Sequence, residues 1–153
     1  MENRIKAFIS HDKNDKKIKE TIHNHLKILD TNGYLKFWCT EDIKPGEDYE
    51  KRMDQELRDV KVAIPLISSD YINLEKESKN ISKIINNHQQ NGLMLFPILL
   101  SSCMWEEIDW LNKEYVNLTP ANEKPLDLLN KAKRKTVLTE FGRKIRDLIL
   151  EQA

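Results

Sequence analysis

Glycine and cysteine are scarce in this chain, with four of the first and two of the second among 153 residues. Neither GxGxxG nor GxxxxGK[ST] occurs, so a Rossmann dinucleotide cradle or a P-loop is not expected. Cys39 and Cys103 stand alone, outside any metal or redox spacing, which argues against a disulfide framework or a zinc site. His23 and His25 are two apart on a helical pattern and so point to different faces, unlike the i,i+4 pair a metal needs. No GxSxG elbow is present, so serine hydrolase chemistry of that kind is not expected. Long apolar runs are missing as well. The longest, Leu93 through Leu100, is far short of a bilayer span, and no basic and then apolar leader opens the chain. The expectation is a cytoplasmic domain without a membrane partner. An excess of one charge is the last absence: Lys plus Arg total 25 and Asp plus Glu total 25. A domain-wide attraction to nucleic acid is therefore not expected.

What is present is alternation. "IKAFIS" (5–10) is a short apolar run before polar "HDKNDKK" and reads as a buried strand. Ile18, Ile22, Leu26 and Leu29 follow at helical spacing, with Gly33 as the turn after them. "YLKFWC" (34–39) reads as a second strand, and "TEDIKPGEDYE" (40–50) as a loop punctuated by Pro45-Gly46. Tyr49, Met53 and Leu57 mark a short amphipathic helix. "VKVAIPLISS" (60–69) is nearly continuous in apolar residues, as in strands covered on both faces. Pro65 lacks a ladder donor, so a strand end, edge or bulge is expected there. A helix containing "LEKESKNISKIINNH" (74–88) comes next, with Ile81, Ile84 and Ile85 as its stripe. "LMLFPILL" (93–100) is the fourth strand, ending near Pro97, and "EYVNL" (114–118) is a short fifth. "MWEEIDWL" reads as a helical turn, and Val137, Phe141, Ile145 and Leu148 give the last helix. The pattern predicts one α/β domain over 1–153, with a flavodoxin-like open five-stranded parallel sheet and helices on both faces. Ligands of such sheets bind outside the carboxyl ends of the strands, here near Ser10-His11, Cys39-Thr40 and Ser68-Ser69.

Four stretches, in order and spacing, carry a more specific signal. "KAFISH", "FWCTEDIKPGEDYEKRMDQEL", "AIPLISSDYI" and "LFPILLSSCMW" together resemble the Toll/interleukin receptor (TIR) family over nearly the whole chain. The arrangement from Trp38 to Gly46, W-x4-I-x-P-G, is most similar to bacterial members, and the chain can belong to a longer natural protein. The resemblance implies one of two functions. One is cleavage of NAD⁺ at the nicotinamide–ribose bond on oligomerisation, in antiphage immune defence. The other is a non-catalytic scaffold for TIR–TIR assembly or nucleotide binding. Self-association through the 40–48 loop is implied in either case. NAD⁺ or a related nucleotide would be the substrate, with no metal and no separate cofactor.

The resemblance also implies roles for residues. The end of the first strand, Phe8, Ile9, Ser10 and His11, would meet the nucleotide, with Ile43, Pro45 and Gly46 closing over it. Trp38 or Tyr49 would supply an aromatic wall. A carboxylate near the ribose would stabilise the oxocarbenium-like transition state. The family's glutamate precedes the apolar stripe of the helix after the third strand. Aligning "NISKII" with that segment puts Asn80 in the slot, while an ungapped alignment from "LISSDYI" puts Ile81 there. An asparagine can hydrogen-bond a ribose hydroxyl but brings no charge. Glu77, three residues earlier on the same helical side as Asn80, is the candidate substitute; Glu75, at the very start of the helix, is the lesser one. More ordinary roles exist for each group: Ser10 or Asp12 as a cap for the first helix, Ser68, Ser69 or Asp70 as the cap of the next, Trp38 as a packed aromatic, and Glu77 as a first-turn acid.

Overall fold

The computed structural model describes residues 4–78, 83, 86, 92–111, 118–120 and 124–152, with backbone alone for 74–78 and 152. Strands β1 (Ile5–Ser10), β2 (Leu35–Trp38), β3 (Val60–Ile67), β4 (Met94–Leu95) and β5 (Ile98–Leu99) form a five-stranded sheet. Its order is β2-β1-β3-β4, with β5 also on β3, and every pairing is parallel. Helices α1 (Lys16–Thr31), α2 (Tyr49–Leu57), α3 (Ser69–Ser78) and α4 (Lys131–Gln152) connect and cover it. This is the doubly covered α/β architecture that the alternation predicts.

Two cores lie on the two faces of the sheet. Ala7, Ile9, Val62, Ile64 and Leu66 pack with Ile22, Leu26 and Leu29 of α1 and Phe141 and Ile145 of α4. Phe8, Ala63 and Ile67 face the other way, toward Trp38, Met53 and Leu57 of α2 and Tyr71 of α3. Successive strand residues point to opposite faces, so residues 62–67, buried without a break, must be apolar throughout. At Gly142 of α4, an added Cβ would lie 3.2 Å from Leu26 Cδ2. The glycine lets the two helices approach.

Pro65 does not end, edge or bulge its strand. It lies inside β3 and pairs with Ser10, and the register irregularity in that ladder falls between Lys6 and Ala7 instead. The reason is visible on the opposite side. Ala63 pairs with Leu95 and Leu66 with Ile98, a constant offset that sets Pro65 opposite Pro97. The carbonyls of Ala63 and Ile67 accept from Phe96 and Leu100, so the missing donor of Pro65 turns toward the same neighbour by the period of two. Pro97 follows the same period: Phe96 and Leu100 donate to β3, so its own missing donor turns away from β3, toward Thr119, whose N–H its carbonyl accepts at 3.0 Å. Pro97 correspondingly does not end the fourth strand. It divides that strand into β4 and β5.

The helix after β3 starts earlier than its polar segment suggests. Ser68 Oγ accepts from Tyr71 N at 3.2 Å, an N-cap that begins α3 at Ser69, with Asp70 as its first-turn acid. Glu75 therefore lies inside the helix, and Glu77 is beyond the first turn rather than part of it. The Ile81, Ile84 and Ile85 stripe lies outside the described residues, as does the 114–118 strand apart from Leu118. Thr119, next in the chain, makes a parallel bridge with Ile98.

Candidate functional site

At the carboxyl ends of β1 and β3, a chain of hydroxyl and carboxyl groups joins three segments. Ser10, the last residue of β1, shares a 2.8 Å hydrogen bond between its Oγ and the hydroxyl of Tyr71. Alternation places Ser10 on the Phe8 side of the sheet, where Tyr71 and Trp38 also pack. Ser68, besides capping α3, donates to Asp15 Oδ2 at 2.5 Å. Asp12, not Ser10, caps the turn before α1, its Oδ2 accepting from Asn14 N at 2.9 Å. Burial pushes the Asp15 carboxyl above its ordinary range; the Ser68 hydrogen bond opposes that rise, and the charges of Asp12 and Asp70 add to it.

A second network fastens the start of the 40–48 loop. Glu41 accepts from His11 Nε2 at 2.8 Å and lies 3.4 Å from Lys19 Nζ and 3.7 Å from Lys16 Nζ. Lys19 is only 5% exposed, and its ammonium also lies 3.5 Å from Cys39 Sγ. Burial acts to lower the Lys19 pKa, but Cys39 and Glu41 outweigh it and the net direction is up. Burial likewise acts to raise Glu41, while Lys19 and His11 hold it below the ordinary carboxylate range. Cys39 moves up, chiefly through burial, the behaviour of an inert thiol rather than a nucleophile. The Asp42 carboxylate completes the corner by accepting from Cys39 N at 3.1 Å. A cavity of about 180 Å³ lies beside this network, reached by Ile9, Phe37 and His23.

This network carries a test. Glu41→Gln is expected to cost about 1–2 kcal/mol at pH 7, a figure reduced for the partial exposure of the carboxylate. The folded pKa of Glu41 is depressed, so its stabilisation is present above the unfolded value of about 4.3 and lost as pH falls through the folded one. The deficit in melting temperature should therefore fade at pH 3, and an equal deficit at both pH values would refute this account.

Among the sequence-predicted site residues, Phe8, Ser10, Trp38 and, partly buried, Ile43 share one side of the sheet. Ile9 is buried against α1 and α4 on the opposite side. His11 has both ring nitrogens against oxygen acceptors, Asp12 O and Glu41 Oε1. Pro45, Gly46 and Tyr49 are exposed, and Gly46, at φ +94°, takes the left-handed conformation that the turn requires. Trp38 is buried against Phe8, with ring centroids 5.3 Å apart, and its Nε1 has no hydrogen-bond partner among the described residues. Asn80 lies outside the described residues. Helix register sets position 75 one turn beyond Tyr71 on the same side, and position 77 on another. Sequence reading did not find Lys19, Glu41, Ser68 or Tyr71 as partners. Their contacts span 20 to 61 residues, and no local spacing signals them.

Chemically, the half-buried Ser10 hydroxyl at this end is suited to ribose hydroxyls or phosphate oxygens, whereas Tyr71 and the Trp38 indole N–H are buried behind it. Among the described residues, no three His, Cys, Asp or Glu side chains converge as a metal site, and no helix is long and apolar enough to cross a membrane.

Comparison with known proteins gives the same architecture. The family model for the TIR domain matches residues 7–130. A protein of Sinorhizobium fredii, the uncharacterized y4lF, is 22% identical over 121 residues. That match covers 78% of this chain and 36% of the relative, so the chain spans about a third of that protein's length. Among solved structures, the TIR domain of the Toll-related receptor TRR-2 from Hydra magnipapillata superposes with a TM-score of 0.58 at 18% identity, covering 92% of this chain and 97% of that one. The TIR domain heterodimer of RPS4 and RRS1 gives 0.57 at 10% identity, covering 95% and 97%. The TIR domains of the activated Roq1 resistosome give 0.54 at 16%, covering 91% and 84%.

Proposed function

Because the chain belongs to the TIR domain family, we propose that it binds NAD⁺ at the carboxyl ends of β1 and β3 and, once assembled with other TIR domains, cleaves the nicotinamide–ribose bond in an immune defence response. The observation that carries the binding half is the Ser10–Tyr71 hydroxyl pair beside the Phe8–Trp38 wall. The half-buried Ser10 hydroxyl supplies a hydrogen-bonding group where β1 ends and α3 begins, held by Tyr71 and backed by the buried Phe8–Trp38 pair. In the reaction, the bond from ribose C1′ to the pyridinium nitrogen breaks and its electron pair leaves with neutral nicotinamide. Water, or a nucleophilic group of the same ADP-ribose, bonds to C1′ and releases a proton. The positive charge that develops on the ribose needs a carboxylate. Glu77, three residues before Asn80 in the family slot, is the candidate substitute, and Glu75 is added by its register with Tyr71. Assembly is supported by analogy with the RPS4–RRS1 heterodimer and the Roq1 resistosome, both of which contain TIR domains.

A second reading is a TIR scaffold that associates without cleaving, and the asparagine in the glutamate slot favours it. Both readings are tested by measuring nicotinamide released from NAD⁺ at protein concentrations high enough to form oligomers. Activity in the natural chain that falls by about a hundredfold or more in Glu77→Gln or Glu75→Gln would establish the enzyme and its carboxylate. Silence in the natural chain with activity in Asn80→Glu would identify a cleft without its acid. Silence in both, with oligomers present, would leave the scaffold.

A further inference from the structure

On the α1–α4 face of the sheet, a groove of about 560 Å³ runs between the first turns of α1, the first turns of α4 and the 126–128 turn. Its volume lies within the range of about 300–1,000 Å³ of small-molecule sites. Ile18, Ile22, Leu126 and Leu138 form an apolar floor, and Thr21 stands exposed on one wall. The floor is held in shape by Arg134, whose Nε donates to Leu126 O at 2.9 Å and whose second guanidinium nitrogen donates to Asp127 O at 3.2 Å. That arginine is committed to the backbone of the 126–128 turn.

The rim is different. Lys17, Lys131 and Lys135 are exposed at its edge, and among the described residues none of the three forms an ion pair. Lys6, Lys16, Lys19 and Lys83, by contrast, each face a carboxylate. The acid lining the groove is Asp15, whose carboxyl is bonded to Ser68 at the far end. The chain as a whole is neutral, so this surplus of positive charge is local to the groove. Apolar surface with unneutralised ammonium groups along one edge is complementary to a molecule with an apolar body and an anionic head.

We propose that the groove between α1 and α4 binds a small amphipathic organic anion, its apolar body on Ile18, Ile22, Leu126 and Leu138 and its anionic group among Lys17, Lys131 and Lys135. The site lies beside the carboxyl end of β1 but on the α1–α4 face, opposite the side where Phe8 and Trp38 pack, and does not depend on the nucleotide reading of that end. It does touch that end through one hydrogen bond, Asp15 to Ser68.

The test uses 8-anilinonaphthalene-1-sulfonate as the anionic probe and N-phenyl-1-naphthylamine as its uncharged counterpart, both followed by fluorescence with the intact chain. The sulfonate is expected to saturate at one equivalent and to weaken as salt is raised. The double variant Lys131→Gln/Lys135→Gln should weaken the sulfonate about tenfold while changing the uncharged probe little. Thr21→Trp, an exposed position on the wall, should fill the groove and abolish both signals, with circular dichroism confirming that the helices persist. Sulfonate affinity unchanged in both variants would overturn the proposal, as would a failure of the sulfonate to saturate. An equal loss of both probes in the lysine variant would overturn the role of charge.

Discussion

Ile64→Ala is expected to lower the unfolding free energy by about 3–4 kcal/mol, within the range for isoleucine truncations in well-packed cores. Ile64 is completely buried on the central strand, paired with Ile9 of β1, and packs in the cluster closed by α1 and α4. Strands flank it on both sides and helices close over it, so the vacated volume cannot collapse easily. Domains of this size are stable by roughly 5–15 kcal/mol, so the loss would take a large share of the total. The urea midpoint should fall while the slope stays constant, since the folded and unfolded surfaces barely change. Ile28 on α1, 59% exposed, is the control: its alanine variant should stay within about 0.5 kcal/mol. If the two variants cost the same, β3 is not the centre of the sheet.

The same continuous burial explains which parts of the fold could be read from sequence. β1, α1, α2 and β3 follow from periodicity alone, because each buries residues at the spacing its geometry dictates. The two prolines misled for a common reason. Proline is unfavourable in a strand because of a missing donor, and whether that donor is needed depends on the neighbouring strand. Pro65 sits opposite Pro97 across an interruption in the ladder, a pairing that no local window contains. The start of α3 was hidden differently. "SSDYI" offers three capping residues in a row, and only the folded chain selects Ser68, by bringing Asp15 to its hydroxyl.

Site residues divide along similar lines. Phe8, Ser10, Trp38 and Ile43 come together because strand alternation and the loop after β2 put them there, and both are visible in the sequence. Glu41 and Lys19 were not visible as partners. A glutamate in "TEDIKPGED" looks like one more solvated loop acid until His11 and Lys19 arrive from the loop after β1 and from α1. Glu41 thereby couples the beginning of the 40–48 loop to the end of β1, the two segments that would have to act together on a nucleotide. A variant there should alter stability and loop position together.

The second large effect is expected at Ser68, where one hydroxyl serves two groups. Ser68→Ala leaves Tyr71 N without its cap, worth about 1 kcal/mol, and leaves Asp15 without a hydrogen bond to a charged group, worth about 1.5–3 kcal/mol. Asp15 is partly exposed, so screening and non-additivity hold the expected total at pH 7 to about 2–3 kcal/mol. The pH dependence separates the two losses. Burial, with Asp12 and Asp70 adding to it, raises the folded pKa of Asp15. Its contribution to stability is therefore favourable below the unfolded value of about 3.9 and is lost as pH rises through the folded one. Ser68 supplies the hydrogen bond that opposes this rise, so the deficit of Ser68→Ala should grow with pH across that window. At pH 3 it should shrink to the cap alone. Adding Asp15→Asn to Ser68→Ala should recover much of the neutral-pH loss by removing the buried charge, with urea denaturation as the measure. If the double variant is no more stable than Ser68→Ala, the carboxylate is not what Ser68 stabilises. α3 would then depend on its cap alone, and the link from the α1–α4 groove to the start of the helix bearing Glu75 and Glu77 would have no energetic weight.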